Sequence, residues 1–396
     1  MSFGTLCSSI LPTTVGDFAI HVLPERIALG RQNIGKTDRE VVALVEHVAL
    51  VRSDFDPARR ANIHVIQEDV FNDLMAAKQP PKERRLTESL KEIGGSDNDV
   101  LIIVRSPDTA GMLALKHKAA RGYKQNLTIA SPQQVVNAMT QSLGLTNIAA
   151  TYIAPNEFLT KPMPNQVPTE YGDFNVQTRD VAECAVMPAI AWNTLFPSLN
   201  KPLVEGEQPL VLTAKKHVAL ISSKPVGEGA LPLVRVHSSC FTSMCAAKNC
   251  DCGQQFDQGL KIIAEQGGVM LHHDAEGRGA NLALKILMNE LKRPKRSGPV
   301  LDTYQAMHVY GLRDDERNYT EVAHFLSEVL PCGFNLLTNN TDKAQALRDL
   351  GAKVMATQRI LADTIHPEMV PYLDAKGKRS HPAYAGQMTP ETLKLA

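Results

Sequence analysis

The sequence has no excess charge of either sign, no long hydrophobic run and few cysteines outside one segment. Its 396 residues carry 42 Lys and Arg against 42 Asp and Glu, so no bulk charge favours binding to nucleic acid or to an anionic membrane. No stretch reaches the roughly 18 consecutive apolar residues of a membrane helix, and the first residues lack a basic stretch followed by an apolar run. These absences predict a soluble cytoplasmic protein without nucleic-acid or membrane partners.

Cysteine is scarce, yet most of it is concentrated in one place. Four of the seven cysteines fall within thirteen residues, at Cys240, Cys245, Cys250 and Cys252. Thiols that cluster in this way argue against a disulfide framework and for a reducing compartment.

Spacing alone leaves three interpretations of this cluster open. Cys240, Cys250 and Cys252 could hold a catalytic zinc with an open fourth position, where a bound water has a pKa of about 7. With Cys245 as a fourth ligand, the site would be closed and structural. Without a metal, the four thiols would pack as small hydrophobic groups.

Internal similarity predicts two related halves. The echoes are PTTVGDF (12–18) with PTEYGDF (168–174), HVALV (47–51) with HVALI (217–221), VLIIVRSPDTAGMLALK (100–116) with VMLHHDAEGRGANLALK (269–285), and VVNAMTQSLG (135–144) with DKAQALRDLG (342–351). Four echoes in one order indicate a duplication. Nothing in the first half replaces Cys250 or Cys252, so the N-terminal half is the degenerate one.

Apolar periodicity predicts strands that alternate with helices. Short apolar runs at 218–222 and 269–272 are typical of buried strands, and residues 334–357 predict a strand–helix–strand unit. The expected fold class is α/β with mixed (α+β) sheets. We expect a non-catalytic N-terminal domain at 1–160, a catalytic domain at 161–385 and a tail at 386–396.

Three further polar stretches follow the cysteines. Glu276-Gly277-Arg278 lies at a predicted strand-to-helix junction, where backbone amides and a guanidinium suit a phosphate. The DDER stretch at 314–317 and the TNN stretch at 338–340 are each, alone, more typical of a helix start or cap. Because the three stretches follow the cysteines in one order, together they are stronger evidence for a functional site than any one of them alone.

Taken in order, these motifs resemble the GTP cyclohydrolase II family, zinc enzymes that open the imidazole ring of GTP at the start of riboflavin biosynthesis. The resemblance covers roughly residues 168–385 through PTEYGDF, RVHSSC, CDCG, AEQGG, EGR, DDER, LLTNN and YLDAKGKRSH. The N-terminal half is an extension that the plain family enzyme lacks. GTP cyclohydrolase II-like proteins of uracil catabolism also carry an N-terminal extension.

The resemblance implies a complete site. Cys240, Cys250 and Cys252 would bind Zn²⁺, and Arg317 would attack the α-phosphorus and expel pyrophosphate, with Asp315 as proton acceptor. Ring hydrolysis would release formate, and Mg²⁺ could accompany the nucleotide phosphates. The implied nucleotide-binding residues are Arg235, Val236, His237, Ser238, Ser239, Gln255, Glu276, Gly277, Arg278, Thr303, Gln305, Thr338 and Lys343.

Several positions depart from the family pattern. The loop FTSMCAAKN at 241–249 is one residue shorter than in the family, Ser239 replaces an acidic residue and Asn289 replaces a tyrosine. Gln305 stands where a glutamate is expected. A carboxylate accepts hydrogen bonds from the N–H edge of guanine, whereas a carboxamide both donates and accepts, which could suit uracil.

Three functions are therefore compatible with the sequence. The first is a GTP cyclohydrolase, the second performs the same chemistry on a uridine nucleotide (UMP or UTP), and the third is a non-catalytic nucleotide-binding homologue with structural zinc. A homodimer is the default expectation from the family. A monomer in which the N-terminal half takes the place of the partner is the alternative.

Overall fold

The computed structural model describes residues 2–34, 37–67, 85–95, 98–105, 130–153, 166–197, 202–294, 298–379 and 381. The predicted tail at 386–396 and the predicted boundary at residue 160 lie outside these residues. No helix in the described ranges is long and apolar enough to cross a membrane.

Strands dominate the described part of the chain. They are β1 (Ser2–Phe3), β2 (Cys7–Thr13), β3 (Gly16–Ile34), β4 (Thr37–Arg52), β5 (Ala61–Gln67), β6 (Asp99–Val104), β7 (Ile148–Ile153), β8 (Gln166–Thr169), β9 (Gly172–Val186), β10 (Leu210–Ser222), β11 (Leu233–Ser238), β12 (Gly268–His273), β13 (Phe334–Leu337) and β14 (Val354–Gln358).

Helices cover the sheet. They are α1 (Arg85–Gly94), α2 (Pro132–Ser142), α3 (Ala189–Leu195), α4 (Phe241–Met244), α5 (Cys252–Gln266), α6 (Leu282–Leu291), α7 (Thr303–Val309), α8 (Thr320–Val329), α9 (Thr341–Asp349) and α10 (Val370–Gly377), with 3₁₀ turns at Glu276–Gly279 and Pro367–Met369.

All these strands belong to one mixed sheet. Its main path runs β14-β13-β11-β12-β10-β4-β6-β5-β7, and the hairpins β2–β3 and β8–β9 extend from it beside β4 and β10. Parallel pairing of β10 with β4, where Leu210 faces Val41, joins the C-terminal strands to the N-terminal strands. The predicted α/β fold with a mixed sheet is confirmed.

The two hairpin turns have the same local structure. Thr13 pairs with Gly16 between β2 and β3, and Thr169 pairs with Gly172 between β8 and β9. Each threonine hydroxyl donates to the carbonyl of its paired glycine, at 2.6 Å in the first turn and 2.8 Å in the second. Both glycines have positive φ, 128° and 153°, which favours glycine over other residues there.

The central strands also pair in equivalent registers. Val48 of β4 faces Ile103 of β6, and Val218 of β10 faces His272 of β12, both in antiparallel pairs. These are the registers expected if the second and third sequence echoes are equivalent.

The strands that follow the two segments of the fourth echo do not occupy equivalent places in the sheet. The strand after α2 is β7, which pairs with β5, whereas the strand after α9 is β14, which pairs with β13. Because β13 already lies beside β11, the strand that corresponds to β5 by register, β14 is one position farther out. The duplication of the whole chain thus stays a prediction.

The halves share one hydrophobic core. The largest cluster of buried side chains contains Phe18 from the N-terminal half together with Phe174, Phe256 and Leu284 from the C-terminal half. Helix α6 packs directly on β2 and β3. Because removing this apolar surface from water is a main driving force for folding, we expect the halves to stabilise one another.

Acid should unfold this protein through its buried histidines. Burial lowers the pKa of His217 and of His272 to about 4, whereas an unfolded histidine has its ordinary pKa of 6.5. The neutral rings therefore contribute fully to stability above pH 6.5, and the contribution is lost as the pH falls towards 4. We expect the free energy of unfolding in urea to fall by roughly 2 kcal/mol per histidine between pH 7 and 4.5.

A matched pair of variants isolates this effect from other titrating groups. His217→Gln should flatten the pH dependence, while replacement of the exposed His324 by Gln should leave it unchanged. Equal pH slopes for the His217 variant and the unaltered protein would contradict the assignment.

Candidate active site

One cavity brings together most of the predicted site residues. Its walls come from β11, the 3₁₀ turn at Glu276–Gly279, the N-termini of α5 and α9, and α6. The predicted residues that line it are Arg235, His237, Ser238, Ser239, Cys240, Cys250, Cys252, Gln255, Glu276, Gly277, Arg278, Thr303, Arg317, Thr338 and Lys343. Val236, Asp315 and Gln305 do not line it.

Three thiols form a compact group at one end of the cavity. Cys240 follows β11, and Cys252 is the first residue of α5. The Sγ atoms of Cys240, Cys250 and Cys252 all lie within 4.8 Å of one another, and the first two are 3.8 Å apart. Zn–S bonds of about 2.3 Å in tetrahedral geometry place sulfurs about 3.8 Å apart, so the spacing of Cys240 and Cys250 matches that of two zinc ligands.

Cys245 lies elsewhere. It follows α4 and is fully buried among the hydrophobic side chains of the large core. It is not part of the group of thiols within ligand distance of one another. The geometry therefore favours a three-thiolate centre with an open fourth position over the closed four-thiolate alternative.

Lys285 is a member of this centre that the sequence did not reveal. Its ammonium lies 3.2 Å from Cys240 Sγ and donates to Glu276 Oε1 at 2.7 Å. Hydrogen bonds from Cys250 and Cys252, followed by the charge of Lys285, lower the pKa of Cys240 well below its ordinary value. A thiolate is the form that binds metal.

Glu276 holds the loop that joins Cys240 to Cys250. Its buried Oε2 accepts the backbone N–H of Phe241 at 2.5 Å, at the start of the segment 241–249, here termed the cysteine loop. The next two residues, Gly277 and Arg278, have left-handed backbones with φ of 59° and 60°. This turn directs Arg278 over the ring of Tyr304, with 4.6 Å between Cζ and the ring centroid.

Arg317 lines the cavity and forms an ion pair with Asp315. Arg317 Nε donates to Asp315 Oδ1 at 2.9 Å, and Nη1 donates to Ser238 Oγ at 3.0 Å. Burial opposes a charged guanidinium, but Tyr319 and Asp315 raise the pKa of Arg317 above its ordinary value. Burial likewise opposes an ionised Asp315, yet Arg317 lowers its pKa. Both groups are charged in this arrangement.

Gln305 is placed on the outer side of its helix. Its Oε1 accepts the backbone N–H of Asp302 at 2.9 Å, while Asp302 accepts the backbone N–H of Gln305 at 2.8 Å. This reciprocal capping box starts α7. In contrast, the hydroxyl of Thr303 is buried at the cavity without a hydrogen-bond partner among the described residues.

Arg235 and Gln255 belong to a buried chain of hydrogen bonds. Arg235 Nη2 donates to Gln255 Oε1 at 2.6 Å, and Gln255 Nε2 donates to Asp251 Oδ2 at 2.6 Å. Lys376 from α10 completes the chain by donating to Asp251 Oδ1 at 2.9 Å. The network fixes α10 against α5, next to the thiols.

The cavity is strongly cationic. Its lining contains the basic side chains Arg235, Arg278, Lys285, Lys292, Arg317, Lys343 and Lys376. Within the described lining the one carboxylate is Glu276, which Lys285 already neutralises. Such a surface is complementary to a polyanion with several phosphate oxygens.

His237 offers polar atoms to a ligand in this cavity. The ring is buried between Phe256 and His272, and neither nitrogen has a hydrogen-bond partner in the described part of the chain. Burial, followed by the charge of Arg235, lowers the pKa of His237 well below its ordinary value. A neutral imidazole that can donate and accept therefore faces the site.

A second group of possible metal ligands lies on the face shared by β9, β10 and β12. Ligand atoms of Glu183, His217 and His273 lie within 4.8 Å of one another. However, His217 Nδ1 accepts the backbone N–H of Asp274 at 3.2 Å, which places the proton of the neutral ring on Nε2. The three thiols are therefore the better metal centre.

Comparison with known proteins agrees with this geometry. The family model for GTP cyclohydrolase II matches residues 210–360. GTP cyclohydrolase-2 of Psychromonas ingrahamii is 34% identical over 170 residues, which cover 42% of this chain and 80% of the relative. The enzyme of Aliivibrio fischeri is 31% identical over 170 residues, covering 43% and 82%, and that of Vibrio parahaemolyticus is 35% identical over 144 residues, covering 36% and 70%.

The chain belongs to the GTP cyclohydrolase II family. The resemblance found in the sequence and the prediction of a hydrolase acting on C–N bonds are thereby confirmed. The family model leaves out residues 1–209 and 361–396.

Gly279 should be indispensable for this GTP cyclohydrolase II site. Its φ is +86°, and a Cβ there would lie 2.6 Å from the carbonyl carbon of Glu316, next to Arg317. We expect Gly279→Ala to destabilise the protein by about 2 kcal/mol or more and to displace Arg317. Thermal unfolding and GTP turnover measure the two effects.

Gly351 provides the matched control. Its φ of +89° is nearly the same, but a Cβ there meets nothing within 4 Å. Gly351→Ala should carry the backbone cost and leave turnover of the folded enzyme intact. If both variants lose activity equally, the contact between Gly279 and Glu316 does not position Arg317.

Proposed function

We propose that this chain is a zinc-dependent nucleotide cyclohydrolase that opens the base ring of GTP and releases formate and pyrophosphate. The observation that carries the proposal is a single cavity lined by a zinc-compatible trio of thiols and by Arg317, which pairs with Asp315. The cationic lining between them suits a triphosphate.

The donor set supports zinc as the cofactor. Cys240, Cys250 and Cys252 would hold the ion, since soft thiolates at this spacing suit zinc and leave one position open. When bound, zinc would supply a Lewis acid and an activated water next to the base. Lys285 would keep the charge of Cys240 balanced, and Glu276 would hold the cysteine loop in place.

The phosphate end of the site is assigned to Arg317, Asp315, Arg278 and Lys343. Attack of a guanidinium nitrogen of Arg317 on the α-phosphorus forms an N–P bond, breaks the P–O bond to pyrophosphate and passes a proton to Asp315. Burial lowers the pKa of Lys343 well below its ordinary value, and a bound phosphate would favour its charged form. Mg²⁺ on the phosphates remains a prediction.

A uridine nucleotide is the second candidate substrate. Guanine presents an N–H edge that a carboxylate accepts well, but the one carboxylate in the described lining, Glu276, is occupied by Lys285 and Phe241 N–H. Asn289 and Lys292 line the wall at α6 instead. Donor groups of this kind suit carbonyl oxygens, which uracil displays on both sides of its ring nitrogen.

Turnover assays on zinc-loaded protein test the function. Offered GTP, UTP, UMP and GMP separately, the enzyme should release formate and pyrophosphate from GTP, as followed by mass spectrometry. Arg317→Ala should abolish both products, because the nucleophile is lost. Cys250→Ser should remove a metal ligand and abolish formate release.

Arg313 is the control within the same segment. Its exposed side chain pairs with Glu316 and does not line the cavity, so Arg313→Ala should retain most activity. A ring-opened product from UMP or UTP with GTP inert would establish the second candidate. Metal-loaded protein that turns over none of the four nucleotides would refute catalysis and leave a non-catalytic homologue.

We also propose that the chain is a pseudo-dimeric monomer of two related halves, an N-terminal scaffold near 1–160 and a catalytic domain near 161–385. The shared sheet through β4 and β10 and the equivalent registers of the hairpins support it. Light scattering after size exclusion should give the mass of one chain. A mass of two chains would favour the homodimer instead.

A further inference from the structure

The first hairpin turn of the N-terminal half is bonded to the cysteine loop of the C-terminal half. Thr14 N donates to Ala246 O at 3.1 Å, and Lys248 N donates to Pro12 O at 2.9 Å. Thr13 and Ala247 form an antiparallel bridge between these bonds. The loop segment held in this way ends two residues before Cys250.

The N-terminal half also caps α6. Glu46, on β4, accepts the backbone N–H of Leu282 at 2.9 Å and that of Ala283 at 2.6 Å. Farther along the helix, Ser9 Oγ donates to Glu290 Oε2 at 3.1 Å. A carboxylate at a helix N-terminus satisfies donors that have no partner within the helix and complements its dipole.

Helix α6 is a wall of the active site. It carries Lys285, which contacts Cys240, and then Met288 and Asn289, which line the cavity. A shift of the helix along its axis would therefore move the ammonium away from Cys240. Arg105 adds a third link, because it lies 3.8 Å from Glu46 and above the ring of Phe241, the first residue of the cysteine loop.

The corresponding turn of the C-terminal half makes a different contact. There Gly172 lies against α5, and a Cβ on this glycine would be 3.5 Å from the methyl group of Ala264. Its internal hydrogen bonds match those of the first turn. The two turns have the same internal geometry but different neighbours, so the link to the cysteine loop is a property of the first turn and not of this type of turn in general.

We infer that the N-terminal half acts as a positioning device for the metal centre, with Glu46 and the turn at residues 12–14 as its positioning groups. The turn fixes the path of the cysteine loop, and Glu46 fixes the position of α6 along its own axis. The inference rests on the proposed function only for the catalytic use of the metal. The positioning itself can be measured without turnover.

The first experiment removes one backbone donor from the turn. Thr14→Pro deletes the N–H that bonds Ala246, and proline is well tolerated at the second position of a turn. Glu170→Pro makes the same change in the equivalent turn of the C-terminal half. The full-length variants are compared by hydrogen exchange at the amide of Lys248 and by titration with Co²⁺, whose thiolate charge-transfer absorption reports the three-cysteine centre.

The second experiment removes one buried carboxylate. In Glu46→Gln, the amide oxygen can still accept one of the two helix N–H donors, but the amide NH₂ would face the other, so half of the cap is lost. Glu25→Gln is its control, because Glu25 is a buried carboxylate of the same half that bonds His47 and Ala130 instead. Exchange at the amides of Leu282 and Ala283 reports the cap directly.

We expect Thr14→Pro and Glu46→Gln to speed exchange at their named amides and to weaken Co²⁺ binding by about tenfold, the lower end for loss of groups that support metal ligands. Neither control should do so at an equal folded fraction. Equal effects of each variant and its control would overturn the inference. If Glu46→Gln does not fold, Thr14→Pro decides.

Failure of the proposed function would look different. The unaltered protein would then bind Co²⁺ but release no formate from any nucleotide. The differences between variants and controls in amide exchange and in Co²⁺ affinity would still test the positioning role, because neither measurement depends on turnover.

Discussion

The ion pair between Lys285 and Glu276 is the interaction on which the site depends. It joins the cysteine loop to α6, because Glu276 also holds the N–H of Phe241 and Lys285 also contacts Cys240. Both charges are largely buried, so either one alone would be costly in this environment. The thiol cluster, the cysteine loop and α6 are thus coupled through four groups.

Much of the site could be predicted from the sequence because short motifs at strand ends converge in a sheet of this kind. Cys240 follows β11, Glu276 follows β12 and Thr338 follows β13, so three strands that neighbour one another in the sheet deliver their polar ends to one edge. The mixed α/β fold follows from the same alternation. Spacing could not decide the place of Cys245, since the direction of its side chain depends on how α4 packs in the core.

Other parts needed the three-dimensional structure. Lys285 lies on α6 and contacts Cys240, which is 45 residues earlier in the chain, and no local pattern specifies such a long-range contact. The position of Gln305, by contrast, had a local signal. Asp302 followed three residues later by a glutamine is a capping-box pattern, and it competes with the interpretation of Gln305 as a base-reading residue.

The left-handed turn at residues 277 and 278 lowers the stability of the fold but places the guanidinium of Arg278 in the site. Arg278 has φ of 60°, a conformation that costs a non-glycine residue on the order of 1 kcal/mol or more. Glycine would adopt it without strain, but only the guanidinium reaches Tyr304 and the cavity. Selection for stability alone would replace Arg278 by glycine. The arginine therefore indicates that a positive charge in the cavity has been retained at a cost in folding free energy.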